Sequence, residues 1–142
     1  MAHVYAPGLV LQFDAHALAK HGGACTWKDE EEFPAQLYFV CIEAGARDAL
    51  WVPLYAGPGP GRKGIPIAAK SGDGNWTRHS SFYDGARLCR VPHKAAQRAA
   101  EVAYDRSSAK APNRLGLAQL PSRGEFPGDA SFQPMAGNVS IR

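Results

Sequence analysis

The chain has 142 residues, of which 45% are hydrophobic and 20% are charged, a balance that allows one domain with a core of its own. Its net charge of +3 permits an anionic partner without indicating one, because strong binding to nucleic acid needs a clustered basic patch. No stretch is long and apolar enough for a membrane span, and the first residues lack the pattern of a signal peptide. We therefore expect a cytoplasmic protein with no membrane partner.

The chain contains three cysteines, Cys25, Cys41 and Cys89, an odd number without a paired framework. Cys41 and Cys89 lie in apolar runs typical of buried strands, so we predict free buried thiols rather than disulfides. His21 and Cys25 are close in sequence, but the CxxC or HxxxH spacing of a zinc site is missing. The sequence accordingly predicts no metal and no cofactor.

Short apolar runs separated by turn-forming residues predict a mainly β core. Asp14 is placed to cap a helical turn after the first strand, and Gly22 and Gly23 are placed to end it. The second strand is apolar on both faces and should therefore be central in the sheet. The predicted strands cover residues 8–14, 36–43, 50–55, 65–70, 75–81 and 86–91.

A helix is predicted over residues 93–104, with a shallow face lined by alanine and by Val102 that packs on the strands. Beyond it the chain is rich in Pro, Gly and Ser but keeps scattered apolar anchors, which predicts an extended tail. The predicted fold is a small SH3-like barrel of five to six strands with a C-terminal helix. We assign residues 1–106 to the barrel and helix and 107–142 to a tail packed on the domain or on a second subunit, with 137–142 a candidate extra strand.

Several short motifs resemble the PemK/MazF family of plasmid growth-inhibitor toxins. The apolar strand over 8–14 resembles the family's first strand, and Phe33-Pro34-Ala35 resembles its Arg-Pro-Ala step. Val52-Pro53-Leu54-Tyr55 resembles its Val-Pro-Leu-Thr step. The resemblance covers about residues 8–105 and implies an SH3-like barrel, often a dimer, with metal-independent endoribonuclease activity held in check by an antitoxin.

The chain departs from the family at the two positions that serve cleavage, where Phe33 and Tyr55 replace the arginine and the threonine. RNA cleavage without a metal needs a group that moves the 2′-OH proton and a cation that stabilises the phosphorane. The replacement candidates are Tyr55 with Arg62, which follows a glycine-rich loop, and His79, because imidazole exchanges protons readily near neutral pH. The alternative is that these are ordinary surface residues and that catalysis is lost.

Four further residues are candidates for RNA binding: Lys63, Trp76, Arg78 and Arg87. Arginine and lysine would contact phosphates, and an aromatic ring would stack on a base. We expect Trp51 to fill the core and Trp76, beside a polar turn, to be partly exposed.

Two functions follow from these features. The first is a divergent toxin-like RNA-binding protein with possible endoribonuclease activity, for which RNA and an antitoxin-like protein are the expected partners. The second is a non-catalytic barrel that acts as a protein interaction or dimerisation module. A homodimer is expected in both cases.

Overall fold

The computed structural model describes residues 4–27, 36–103 and 111–135. Three α-helices cover Ala15–Lys20 (α1), Gly74–Thr77 (α2) and His93–Val102 (α3). Short 3₁₀ turns cover Ile67–Ala69, Leu117–Gln119, Arg123–Glu125 and Asp129–Ser131. The described strands are β1 Leu9–Asp14, β2 Ala24–Cys25, β3 Gln36–Ala44, β4 Asp48–Leu54, β5 Arg62–Ile65, β6 Lys70–Ser71, β7 Ser81–Asp84, β8 Cys89–Pro92, β9 Asn113–Leu115 and β10 Gln133–Pro134.

Eight strands form one antiparallel sheet in the order β10-β2-β8-β4-β3-β1-β9-β6, and β5 pairs with β7 in a separate ribbon. Backbone hydrogen bonds exchanged by Tyr55 and Phe82 join the ribbon to the end of β4. The mainly β architecture with a helix after the last core strand is confirmed. Within the described residues the large sheet is open, with β10 at one edge and β6 at the other.

The central strands are covered on both faces, as the apolar second strand predicts. On one face of β3, Phe39 and Cys41 pack with Trp51 against helices α1 and α3. On the other face, Val40 and Ile42 pack with strand β4 and with the β5–β7 ribbon. Each face of the sheet therefore has its own apolar layer. The carboxyl end of β4 lies where the sheet meets the β5–β7 ribbon.

The two longer helices follow the sequence prediction. The Asp14 carboxylate accepts a hydrogen bond from the Ala17 N–H and caps α1, while α3 buries Ala95 and Ala99 against the sheet. Small side chains allow this close approach. The inclusion of Val102 in the buried face is wrong, because that side chain is an exposed hydrophobic on α3.

The segment between residues 65 and 81 differs from the prediction. The predicted strand over 65–70 ends at Ile65, where Pro66 starts a 3₁₀ turn. The predicted strand over 75–81 is also wrong, because the Asp73 carboxylate accepts a hydrogen bond from the Trp76 N–H at 3.0 Å and starts helix α2. A side-chain cap of this kind stabilises a helical turn against an extended chain.

The described part of the tail packs on the domain. Strand β9 lies between β1 and β6, and β10 pairs with β2. Leu115 and Phe126 are buried in the core on the ribbon side of the sheet. The candidate strand over 137–142 lies outside the described residues.

Candidate functional site

Three of the predicted site residues are in contact, with Arg62 and Arg87 both lying against Tyr55. The Arg62 guanidinium carbon lies 4.1 Å from the centre of the Tyr55 ring, and the Arg87 Nη1 donates a hydrogen bond to the Tyr55 hydroxyl at 3.2 Å. The Tyr55 side chain itself is buried. A guanidinium stacks well on an aromatic face, so this arrangement fixes two positive charges around one ring.

Local backbone geometry places Arg62 on that ring. Gly61 adopts a φ of 76°, which ends the glycine-rich loop and turns the chain into β5. The Arg62 Nη1 donates a hydrogen bond to the Gly57 carbonyl at 2.9 Å, so the loop holds the guanidinium in place. Arg62 is half-buried and keeps part of its charge accessible.

Tyr55 is poorly suited to act as a base. Burial raises the pKa of its hydroxyl, although the hydrogen bond from Arg87 acts in the opposite direction. A neutral phenol that accepts a hydrogen bond from Arg87 can still orient a ligand or donate its own proton. The structure therefore makes Tyr55 a support for Arg62 rather than a proton acceptor.

A cavity of about 230 Å³ opens beside Tyr55. Its walls bring together Tyr55 and the exposed His79, two of the three predicted catalytic residues, and Trp76 is also part of the lining. The lining includes both aromatic and hydrogen-bonding side chains. It comprises Gln12, Leu37, Tyr38, Leu54, Tyr55, Ala56, Lys70, Asn75, Trp76, His79, Ser80 and Ser81.

Lys70 is a site residue that sequence reasoning missed. Its ammonium group donates hydrogen bonds to the Trp76 carbonyl at 3.3 Å, to the His79 carbonyl and to the Ser81 hydroxyl at 2.7 Å. It also lies 3.9 Å from the centre of the Trp76 ring. Desolvation by burial lowers the pKa of Lys70 to about 8, which leaves the group mostly charged at neutral pH.

The prediction that Trp76 is partly exposed is wrong, because its side chain is buried at 1% exposure. Its indole Nε1 donates a hydrogen bond to the Arg114 carbonyl at 3.2 Å, and its ring packs on Tyr38 with 5.2 Å between centres. The tail strand β9 thus satisfies the polar end of the indole. Trp76 supports the cavity wall and is not available as an exposed stacking platform.

The other predicted binding residues lie apart from this cavity. Lys63 forms an ion pair with Glu125 at 2.9 Å, and Glu125 also accepts a hydrogen bond from the Tyr83 hydroxyl at 2.6 Å. Arg78 is exposed at the end of α2 and is not among the side chains that line the cavity within the described residues. Phe33, which stands where the resembling family has its arginine, lies outside the described residues.

The three cysteines are buried and free, which confirms the reading of the sequence. In the part of the chain that the structure describes, no group of three or more His, Cys, Asp or Glu side chains could hold a metal ion. Nor do the described residues contain a helix with the length and apolar character needed to cross a membrane.

Comparisons with known proteins identify no relative. No family model matches the chain, and searches of characterised proteins and of solved structures likewise find no match. The geometry of the cavity and its surrounding charges is therefore the basis for a functional proposal.

Proposed function

We propose that the chain binds single-stranded RNA, with one base in the Tyr55 cavity and the adjoining phosphate on Arg62. The observation that carries this proposal is the half-buried Arg62 guanidinium, stacked 4.1 Å above a tyrosine that also lines a cavity. Proteins that bind single strands combine cations along the backbone with aromatic contacts to the bases. The motifs that resemble PemK/MazF toxins add support to this class of ligand.

A second, larger cavity of about 680 Å³ is less suited to an RNA phosphate. Its two arginines, Arg90 and Arg123, both bind the same Asp129 carboxylate oxygen, at 2.9 and 3.1 Å. Their charge is partly neutralised, and Glu43 adds a further negative charge to the lining. Arg62 has no carboxylate partner within the described residues, so we place the phosphate there.

Cleavage of the bound strand is the further step of this proposal. His79 lies exposed in the same cavity lining as Tyr55 and would accept the 2′-OH proton as the 2′ oxygen attacks phosphorus. The bond to the 5′ oxygen then breaks, that oxygen takes a proton from water, and a 2′,3′-cyclic phosphate remains. Arg62 would stabilise the negative charge of the phosphorane.

Fluorescence anisotropy with a short labelled RNA tests the binding proposal. We expect affinity to fall with salt, with a logarithmic slope of roughly −0.7 for each phosphate contacted. Arg62→Ala should weaken binding roughly tenfold, a loss of about 1.4 kcal/mol. The matched control is Arg98→Ala, which removes an exposed arginine from α3 whose ion-pair partner is Glu101.

Equal effects of the two variants, or binding that does not depend on salt, would contradict the proposal. Cleavage is followed separately by gel analysis of the same RNA with the wild-type chain and with His79→Ala. Product that carries a cyclic phosphate and disappears in His79→Ala supports the endoribonuclease step. Cleavage that is unchanged in His79→Ala rules out the assigned base.

A further inference from the structure

The Ser81 hydroxyl has one defined role in the cavity wall. It is buried in strand β7, lines the cavity, and accepts a hydrogen bond from the Lys70 ammonium at 2.7 Å. A hydroxyl carries one proton of its own to donate. None of the hydrogen bonds among the described residues uses that proton, and Ser81 is one of the residues that line the cavity.

Lys70 fixes the direction of this hydrogen bond. A charged ammonium group has three N–H donors and no acceptor, and here the three donors meet the Trp76 carbonyl, the His79 carbonyl and Ser81. Ser81 must therefore accept from Lys70, and its own proton remains for a ligand that occupies the cavity. A hydroxyl that accepts from a cation is also polarised and becomes a stronger donor.

The charges around the cavity act in the same direction. Lys70 lines the cavity next to Ser81, and the Arg62 guanidinium stacks on Tyr55, another lining residue. The lining set itself contains no Asp or Glu side chain within the described residues. The cavity thus offers a hydrogen-bond donor in a positive field, which favours an oxygen acceptor over an amino group.

We propose that this cavity selects a base that presents a carbonyl oxygen to Ser81, and that uracil is therefore bound in preference to cytosine. This inference rests on the proposed binding of RNA. Uracil and cytosine have nearly the same size, but uracil carries a carbonyl at C4 where cytosine carries an amino group. The cytosine amino group and the Ser81 hydroxyl would both be hydrogen-bond donors, so neither would find an acceptor in the other. The volume of about 230 Å³ is small for a ligand site and suits a single base.

The inference is tested with uridine and cytidine as free nucleosides and with oligo(U) and oligo(C) of equal length. Nucleoside binding is followed by calorimetry or by NMR shifts, and oligonucleotide binding by anisotropy. We expect roughly tenfold tighter binding of the uracil ligands in both assays, which is the discrimination that about 1.4 kcal/mol provides.

Substitutions at two serines show whether Ser81 is responsible. Ser81→Ala should reduce the preference to near unity, and Ser81→Thr, which keeps the hydroxyl on a β-branched residue suited to a strand, should retain it. Ser71→Ala is the matched control, because Ser71 is exposed and is not among the residues that line the cavity within the described residues. A preference that persists in Ser81→Ala, or that is lost in Ser71→Ala instead, overturns the inference.

The two proposals fail in different ways. Equal, salt-dependent binding of oligo(U) and oligo(C) that needs Arg62 would overturn the base preference and leave RNA binding in place. A Ser81-dependent preference for uridine without binding of either oligonucleotide would support the base site and sink the RNA proposal. Absence of binding by all four ligands would overturn both.

Discussion

At the scale of single residues, hydrogen bonds and ion pairs determine which charged side chains are available to a ligand. Lys70 lies in the short sequence Ala-Ala-Lys-Ser, which gives no sign of burial. Its position becomes significant only because α2, β7 and the segment between them bring two carbonyls and a hydroxyl around it. Lys63, next to Arg62 in sequence, instead forms an ion pair with Glu125. Two neighbouring cations therefore differ in what they can bind.

Glu125 should make acid stability depend on one carboxylate. Hydrogen bonds from Tyr83, from the Ser122 N–H and from Lys63 lower the pKa of Glu125 from its ordinary value to about 2. Because the folded-state pKa lies below the unfolded value, this stabilisation is present above about pH 4.5 and is lost as the pH falls toward 2. Glu125→Gln should reduce the free energy of unfolding at pH 7 by roughly 1–2 kcal/mol.

The measurement is denaturant unfolding of both proteins between neutral and acid pH. We expect the difference in unfolding free energy to shrink as the carboxylate of the wild-type chain becomes protonated. Glu101→Gln is the control, since Glu101 is exposed on α3 and pairs only at 3.4 Å with Arg98 among the contacts described. A difference for Glu125→Gln that stays constant down to pH 2 would contradict this account.

At the scale of elements, the turn before α2 depends on a glycine. Gly72 has a φ of 132°, and a Cβ there would overlap the Asn113 Oδ1 and lie 2.8 Å from the Asn113 Cα. Gly61 also has a positive φ, 76°, but a Cβ there would meet no atom within 4 Å. An alanine at Gly61 would therefore add backbone strain alone, whereas an alanine at Gly72 would add both strain and a steric clash.

Gly72→Ala should destabilise the chain more than Gly61→Ala. The backbone penalty at Gly61 is expected to be about 1 kcal/mol, the usual cost of a side chain in this region. At Gly72 the clash also displaces Asn113, whose loss of buried hydrogen bonds should add roughly 2 kcal/mol. Thermal unfolding of both variants measures the difference, and equal melting temperatures would show that β9 moves aside without cost.

The elements differ in how well the sequence predicts them. The alanine face of α3, the Asp14 cap and the central strand β3 follow from local periodicity and side-chain chemistry, and all are observed. The segment over 75–81 is predicted as a strand that carries Trp76, an aromatic residue that favours extended structure. Asp73 overrides that preference by capping α2, and its own position is fixed by Asn113, 40 residues later.

The candidate site shows the same division between local and distant contacts. Tyr55 is singled out by the resemblance, Arg62 by the glycine-rich loop that precedes it and Arg87 by its residue type, and the three do come together. The sequence does not identify Lys70 and Ser81 as site residues, because their buried hydrogen bond joins two separate elements. The predicted exposure of Trp76 is wrong for the same reason, because its indole N–H donates a hydrogen bond to the Arg114 carbonyl of the distant tail.

At the scale of the whole molecule, the tail supports two residues that line the cavity, Lys70 and Trp76. Strand β9 pairs Leu115 with Lys70, and the Arg114 carbonyl accepts the Trp76 indole hydrogen bond. The buried Asn113 side chain links the tail to α2, because its Oδ1 accepts from the Asp73 N–H at 2.8 Å and its Nδ2 donates to the Asp73 carboxylate at 3.0 Å. Residues far apart in sequence thus hold Lys70 and Trp76 in position.

This coupling predicts that Asn113→Ala weakens ligand binding although Asn113 does not line the cavity. Loss of its two hydrogen bonds should lower the unfolding free energy by roughly 2–3 kcal/mol and free α2 to shift, which moves Trp76 away from Lys70. We expect at least threefold weaker binding of the RNA probe, measured well below the melting temperature. Leu117→Ala, at a side chain of the same tail that is 70% exposed, should change neither quantity. A stable cavity with unchanged affinity in Asn113→Ala would show that the tail contributes to folding alone.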